Sequence, residues 1–368
     1  MFALSRRAML AGSSAAVVNA AMPAVAQQTT MPAVRMVETN GIRLAVYEAG
    51  AGPAVVLLHG FPGLAFSWRN QIPALVDAGY RVIAPDLRGY GLSDAPQAVE
   101  AYDITQLTAD LTGLLDKFGI ERAVLMGHDW GGLLAWQMPL LHQERVAGAI
   151  GINTPFVPHW MLWLHPDLVK AARPGEKSFI ADPARDPIAQ MRAVYSSKMY
   201  VLLFQDGHSA DEAMERDPRA TLRNSMRKDL MTSAEWGRLP PEVANMEYYG
   251  QPIPAELPGK DVQTDAELDF FAERFKRTGF TPGINWYRNL TRNWASGLAV
   301  DQTIRVPSLM ISGSEDVVLR ASMAAGMHAH VPDLERQVIE NCWHWTPEEK
   351  PAELNRLVIA WLKRRFPA

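Results

Sequence analysis

The sequence predicts a mostly parallel, doubly wound α/β sheet interrupted by one long helical insertion. Short apolar runs of the kind buried between two helical layers recur along the chain, helical stretches separate the early ones, and the alternation stops after Asn153 and resumes at Val306. In order, residues 36–58 read as strand, turn, strand, turn, strand, closing on the run VVLLH. Further strands are expected at 81–85 (RVIAP), 123–127 (AVLMG), 146–153 (VAGAIGIN), 306–312 (VPSLMIS) and 336–341 (RQVIEN), with helices over 68–78, 103–118 and 131–142. Thr154, Pro155 and Pro158 then open a stretch to about Val300 that has helical patches and loops but no series of buried strands. Just over half of the chain's Phe, Tyr and Trp residues, five of them tryptophans, fall there. An aromatic-rich lid over an apolar site accounts for this, and so does the private core of a small helical subdomain. The expected organisation is a core of 27–153 and 301–368 with a lid of 154–300 inserted into it.

At 368 residues and 48% hydrophobic composition, the chain can bury a sizeable core, which excludes fibrous, disordered and disulfide-scaffold classes. Its 36 basic and 40 acidic residues nearly cancel and the basic ones are scattered, so a small-molecule partner is expected rather than nucleic acid. A single cysteine, Cys342, excludes an internal disulfide and any multi-cysteine metal cage. Neither a dinucleotide fingerprint around Gly60 and Gly63 nor an HExxH spacing is present, so no cofactor and no metal are expected. The N-terminus carries Arg6 and Arg7 after Ser5, an apolar stretch from about Ala8, and Ala24-Val25-Ala26 before two glutamines. This reads as a cleavable export signal over 1–26 resembling the bacterial twin-arginine type, with a periplasmic or secreted product. No later run reaches the length of a membrane span, so none is expected after cleavage. Monomer and homodimer both fit the sequence.

The strongest chemical signal is LMGHDWGG at 125–132, where an apolar strand ends, Gly127 and Gly131 flank Asp129, and a helix follows. This is the shape of a nucleophile elbow, a sharp turn that needs small neighbours and lifts the central side chain into the cleft at the sheet's C-terminal edge. A plain helix-capping role for Asp129 is the alternative. A carboxylate nucleophile suits an alkyl carbon, since it then forms an ester that water can hydrolyse, whereas attack on an acyl carbon would give a labile anhydride. The second half-reaction needs a base. ENCWHWTPEEKP supplies His344 after the last strand, and LMISGSEDVVL offers Asp316, or alternatively Glu315, to orient it. The order Asp129, Asp316, His344 is the nucleophile–acid–base order of an elbow fold. LLHGFPG at 57–63 can present the Phe61 N–H, which with the Trp130 N–H would form an oxyanion hole. His59, Pro62, Trp130 and Trp343 are candidate pocket residues, His59 more readily as a hydrogen-bonding support of its loop. In PDLRGYGLSD, Asp86 and Arg88 are expected to form an internal salt link.

From about residue 36 to 366, these motifs together resemble the epoxide hydrolase family of the α/β-hydrolase superfamily: HGFPG, PDLRGYG, the GHDWGG elbow, the Asp316 loop and CWHWT. INWYRN and KMYVLLFQDG place Tyr287 and Tyr200 where that family has a pair of lid tyrosines. The resemblance implies that both phenols hydrogen-bond the epoxide oxygen, that Asp129 opens the ring as a covalent ester, and that His344 activates water to release a vicinal diol. The implied partners are a small apolar epoxide and water. Two positions depart from the family pattern: Trp343 stands where glycine usually precedes the histidine, and the acid loop reads GSED. Haloalkane dehalogenase is the near alternative, with the same nucleophile and base and Trp130 as a halide donor, but it does not need two lid tyrosines. A fluoroacetate-type dehalogenase usually has arginine where Trp130 stands. A non-catalytic exported binding protein is the alternative of another class, and it would be expected to have lost a triad member.

Overall fold

The computed structural model describes residues 31–173, 179–239, 246–247, 249 and 252–368. The export signal expected over 1–26 lies outside these residues. Val34–Thr39 (β1), largely exposed, and Ile42–Ala49 (β2), buried through Leu44–Tyr47, form an antiparallel hairpin turned at Asn40-Gly41, both with positive φ. Almost wholly buried runs then supply Ala54–Leu58 (β3), Arg81–Pro85 (β4), Ala123–His128 (β5) and Val146–Ile152 (β6). Two short strands, Arg227–Lys228 (β7) and Lys260–Asp261 (β8), pair only with each other. Ser308–Gly313 (β9) and Leu334–Ile339 (β10) complete the main sheet, whose order is β1-β2-β4-β3-β5-β6-β9-β10. Within the main sheet β2 runs opposite to the other seven strands.

The helices Gln71–Asp77, Ile104–Lys117 and Trp130–Leu141 connect the early strands, and Pro351–Arg365 closes the chain. Ile104–Lys117 and Trp130–Leu141 fall within a residue of the spans expected for them, while the first expected helix, 68–78, is divided between a turn of 3₁₀ helix at Ala65–Trp68 and Gln71–Asp77. Successive strands β3, β4 and β5 lie as β4-β3-β5, so the chain leaves β3 to one side and returns on the other. The carboxyl ends of β3 and β5 therefore flank the crevice where an open α/β sheet receives its ligand.

Between β6 and β9 the described chain is helical apart from β7 and β8, as expected of an inserted cap. No helix among the described residues is long and apolar enough to cross a membrane. One expected contact is replaced by two others. Arg88 pairs with Asp110 at 2.6 Å, both side chains buried, while Asp86 accepts the amides of Ala65 and Leu92 at 3.0 Å each. Buried backbone donors in the tight turn claim Asp86 and leave Arg88 to the carboxylate on the neighbouring helix.

Candidate active site

Asp129 sits between β5 and the following helix at φ 54°, ψ −123°, a conformation that few side-chain-bearing residues adopt. The surrounding glycines show why the turn can close. A Cβ on Gly131 would run into the Leu58 and His59 carbonyls, one on Gly127 into the Gly131 carbonyl, and one on Gly60 into Asp129 itself. Thr154 Oγ1 donates to the Asp129 carbonyl at 2.8 Å and bolts the elbow to the chain leaving β6.

The Asp129 carboxylate accepts the Phe61 N–H at 2.7 Å from the loop after β3, whose Phe61–Pro62 peptide is cis. Its other oxygen lies 3.7 Å from His344 Nε2. On the far side, His344 Nδ1 meets Asp316 Oδ2 at 2.9 Å. Asp316 is completely buried, and its second oxygen accepts the Val318 and Leu319 amides at 2.9 Å each. Glu315 is turned elsewhere, accepting the Ser233 N–H at 2.8 Å, so Asp316 is the carboxylate that orients the imidazole.

Electrostatics follow from this line of charges. Burial works against a charged imidazole, but Asp316 and Asp129 outweigh it and raise the His344 pKa to about 10. Burial likewise opposes the Asp129 charge, yet His344 and the Phe61 amide hold its carboxyl below the ordinary 3.8. His59 is different. Burial lowers it to about 4, Nδ1 lies 2.9 Å from the Gly60 carbonyl, and Nε2 accepts the Leu87 N–H at 3.0 Å. With both nitrogens spent on backbone, His59 supports its loop rather than lining the pocket.

Tyr200 opens the helix Tyr200–Gln205 and Tyr287 lies on Thr281–Arg288. Gln205 links the two by donating to the Tyr287 carbonyl at 3.0 Å. Their rings meet edge to face at 5.8 Å, and Tyr287 packs against Trp130 at 4.9 Å and Phe61 at 5.7 Å, the immediate surroundings of Asp129. Burial, then the Asp129 charge, raise the Tyr287 pKa well above 10.0, so its hydroxyl keeps its proton. Trp130 begins the helix after Asp129, where the first amides lack intrahelical acceptors, and its own indole N–H is buried without a partner among the described residues. Trp343, a candidate pocket residue, donates its indole N–H to the Met231 carbonyl at 3.1 Å.

Several supporting residues are absent from the sequence reading. Asn153 Nδ2 donates both to Asp316 at 2.8 Å and to the Trp343 carbonyl at 3.0 Å. Glu349 accepts the amides on either side of His344, from Trp343 at 2.9 Å and Trp345 at 2.7 Å. Trp163 donates its indole N–H to the Tyr200 hydroxyl at 2.7 Å. A third phenol, Tyr249, packs against both Phe204 and Tyr200. Only Asn153, the last residue of the strand expected at 146–153, carried a positional signal.

Residues 53–351 match the family described as the alpha/beta hydrolase fold. Epoxide hydrolase A of Mycobacterium tuberculosis is 42% identical over 338 residues, which cover 90% of this chain and 97% of that protein. The bifunctional epoxide hydrolase 2 of Rattus norvegicus is 38% identical over 88% of this chain, but only 54% of its own length is matched. Among solved structures, epoxide hydrolase A from Mycobacterium thermoresistibile superposes with a TM-score of 0.75 at 40% identity, covering 90% of this chain and 98% of that one.

Proposed function

The chain belongs to the epoxide hydrolases of the α/β-hydrolase fold family, and we propose from that premise that Asp129, Tyr200, Tyr287, Asp316 and His344 add water to a small epoxide in two steps. In the first, an Asp129 oxygen forms a bond to a ring carbon as the carbon–oxygen bond breaks. The departing alkoxide takes a proton from the paired phenols, leaving a hydroxyalkyl ester. In the second, His344 takes a proton from water, whose oxygen attacks the ester carbonyl. The oxyanion is received by the Phe61 and Trp130 N–H groups. Collapse releases the vicinal diol and restores the Asp129 carboxylate, and the proton freed there replaces the one the phenols gave up.

The observation that best supports this reading is the imidazole suspended between two carboxylates, 2.9 Å from Asp316 and 3.7 Å from Asp129. While Asp129 is charged it helps hold the imidazole proton. Once Asp129 becomes a neutral ester that support is gone, and His344 is freed to act as a base. The phenols overhead supply the acid that epoxide opening requires and that halide departure does not.

Intact-protein mass is the direct test. With a panel of aryl, terpene and aliphatic epoxides, His344→Gln should accumulate an adduct of enzyme plus epoxide, Asp129→Ala should form neither adduct nor diol, and haloalkanes should release no halide. Halide release without diol from any epoxide would overturn the reading. The finer assignments of lid boundaries at 154–300 and of twin-arginine export to the periplasm belong to the same proposal. Supporting the export reading, Arg6-Arg7 precedes an apolar stretch ending at Ala26, so the exported protein should begin at Gln27 and Arg6→Lys with Arg7→Lys should retain it in the cytoplasm.

A further inference from the structure

The two positions that depart from the family pattern, Glu315 and Trp343, are the immediate predecessors of Asp316 and His344. Both reach the same short stretch of the cap. Glu315 Oε2 accepts the Ser233 N–H at 2.8 Å, and the Trp343 indole donates to the Met231 carbonyl at 3.1 Å. Their loops are also joined to each other, because the Glu315 N–H donates to the Cys342 carbonyl at 2.9 Å.

Trp343 has little freedom left. Its N–H is held by Glu349, its carbonyl by Asn153 and its indole by the cap. On the other side of His344, the Trp345 N–H is held by the same Glu349 and its indole donates to the Ser225 carbonyl at 3.0 Å. The imidazole is thus strung between two residues whose backbones share one carboxylate and whose side chains both grip the cap. A glycine at 343 could accept the backbone contacts but could not make the link to Met231.

We infer that Trp343 and Glu315 are positioning residues that tie the base and its orienting acid to the cap segment Met231–Ser233, so that ester hydrolysis depends on that seam while ring opening does not. The inference rests on the two-step reading above. Ring opening uses Asp129 on the elbow and phenols on other helices. Water activation uses the Nε2 of His344, whose placement relative to the ester carbonyl is set by residues 343 and 345. A displacement of a fraction of an ångström there weakens a proton transfer that leaves the first step untouched.

Trp343→Phe keeps an aromatic ring and removes the indole N–H, and Glu315→Ala removes the other half of the seam. Single turnovers of the full chain with a styrene-type epoxide, followed by intact mass for the ester and by diol release, separate the two steps. We expect ester hydrolysis to slow by roughly tenfold in either variant, with ester formation within about twofold of the parent. The double variant should lose less than the product of the two, because both act through one cap segment. The pH midpoint of ester hydrolysis should move in the variants, which a general loss of stability would not cause. Equal slowing of both steps, or unchanged hydrolysis in folded variants, would overturn the inference. If Trp343→Phe does not fold, Glu315→Ala reads the same step from the other loop. A parent enzyme that forms neither ester nor diol would instead sink the two-step reading itself.

Discussion

At the scale of single residues, the site turns on one proton shared among three charged groups. His344 lies between a fully buried Asp316 and the nearer oxygen of Asp129, and the two carboxylates raise its pKa to about 10 against the opposing effect of burial. Such a base would be protonated at neutral pH and useless for activating water. The proposed chemistry resolves this, because an ester on Asp129 carries no charge. Asp129→Asn imitates that neutral state. Its imidazole should therefore titrate about 1–3 units lower than in the parent, the effect expected of deleting one adjacent opposite charge. An NMR titration of the His344 ring in both proteins measures this, and coincident midpoints would refute the coupling. Ring opening has the opposite requirement. It needs Asp129 ionised and the phenols protonated, and their pKa values lie respectively below 3.8 and, for Tyr287, well above 10.0. In single turnovers the rate of ester formation should show no limb from the Asp129 carboxyl or the Tyr287 phenol between those values, while ester hydrolysis falls as acid protonates His344.

Elements place these residues, and the elbow shows how narrowly. Gly131 approaches the carbonyls of Leu58 and His59 so closely that β5, its helix and the end of β3 meet with no room for a side chain. Gly131→Ala should cost about 1–3 kcal/mol or more in denaturant titrations, since backbone cannot yield as a flexible side chain does, and should shift Asp129 off the Phe61 amide. Gly326→Ala, in the 3₁₀ segment Ala321–Ala329 with open space around its Cα, serves as the control and should be near neutral. This elbow was legible in the sequence because its requirements are local: small residues at fixed offsets around one carboxylate at the end of an apolar run. The buried strands were legible for the same reason. Asn153 and Trp163 were not, because each acts across a long sequence separation; Glu349 reaches amides four and six residues away, but it and Asn153 hold backbone groups whose identity leaves no trace in composition. The family register favours Asp316, with Glu315 as the alternative, and the fold turns the first toward His344 and the second toward Ser233. Asp86 and Arg88 misled because adjacency in sequence says nothing of which buried amides a tight turn must satisfy.

For the whole molecule, the decisive question is what keeps the cap registered on the core while substrate enters and diol leaves. One buried cation spans that boundary. Arg69 follows the 3₁₀ turn Ala65–Trp68, and its side chain is only 4% exposed. It donates to Glu267 on the cap helix Asp265–Thr278 at 2.7 Å and to Glu348, four residues past His344, at 2.9 Å. Gln263 of the cap adds a third hand, donating to the same Glu348 oxygen at 3.1 Å. Paired in this way, the Glu348 side chain can be 1% exposed without an uncompensated charge. Deleting the cation removes that compensation, and an unpaired buried carboxylate is far costlier than the net worth of the pair it came from. Arg69→Met, which keeps the apolar stem, should therefore lose about 3–5 kcal/mol of stability in equilibrium denaturation. Adding Glu348→Gln to Arg69→Met should recover most of it, because the group stranded by the first change is then neutral. If the double variant stays as weak as the single, the loss is one of packing around Phe66, over whose ring the guanidinium also lies at 4.8 Å, and the charge network is not what joins cap to core.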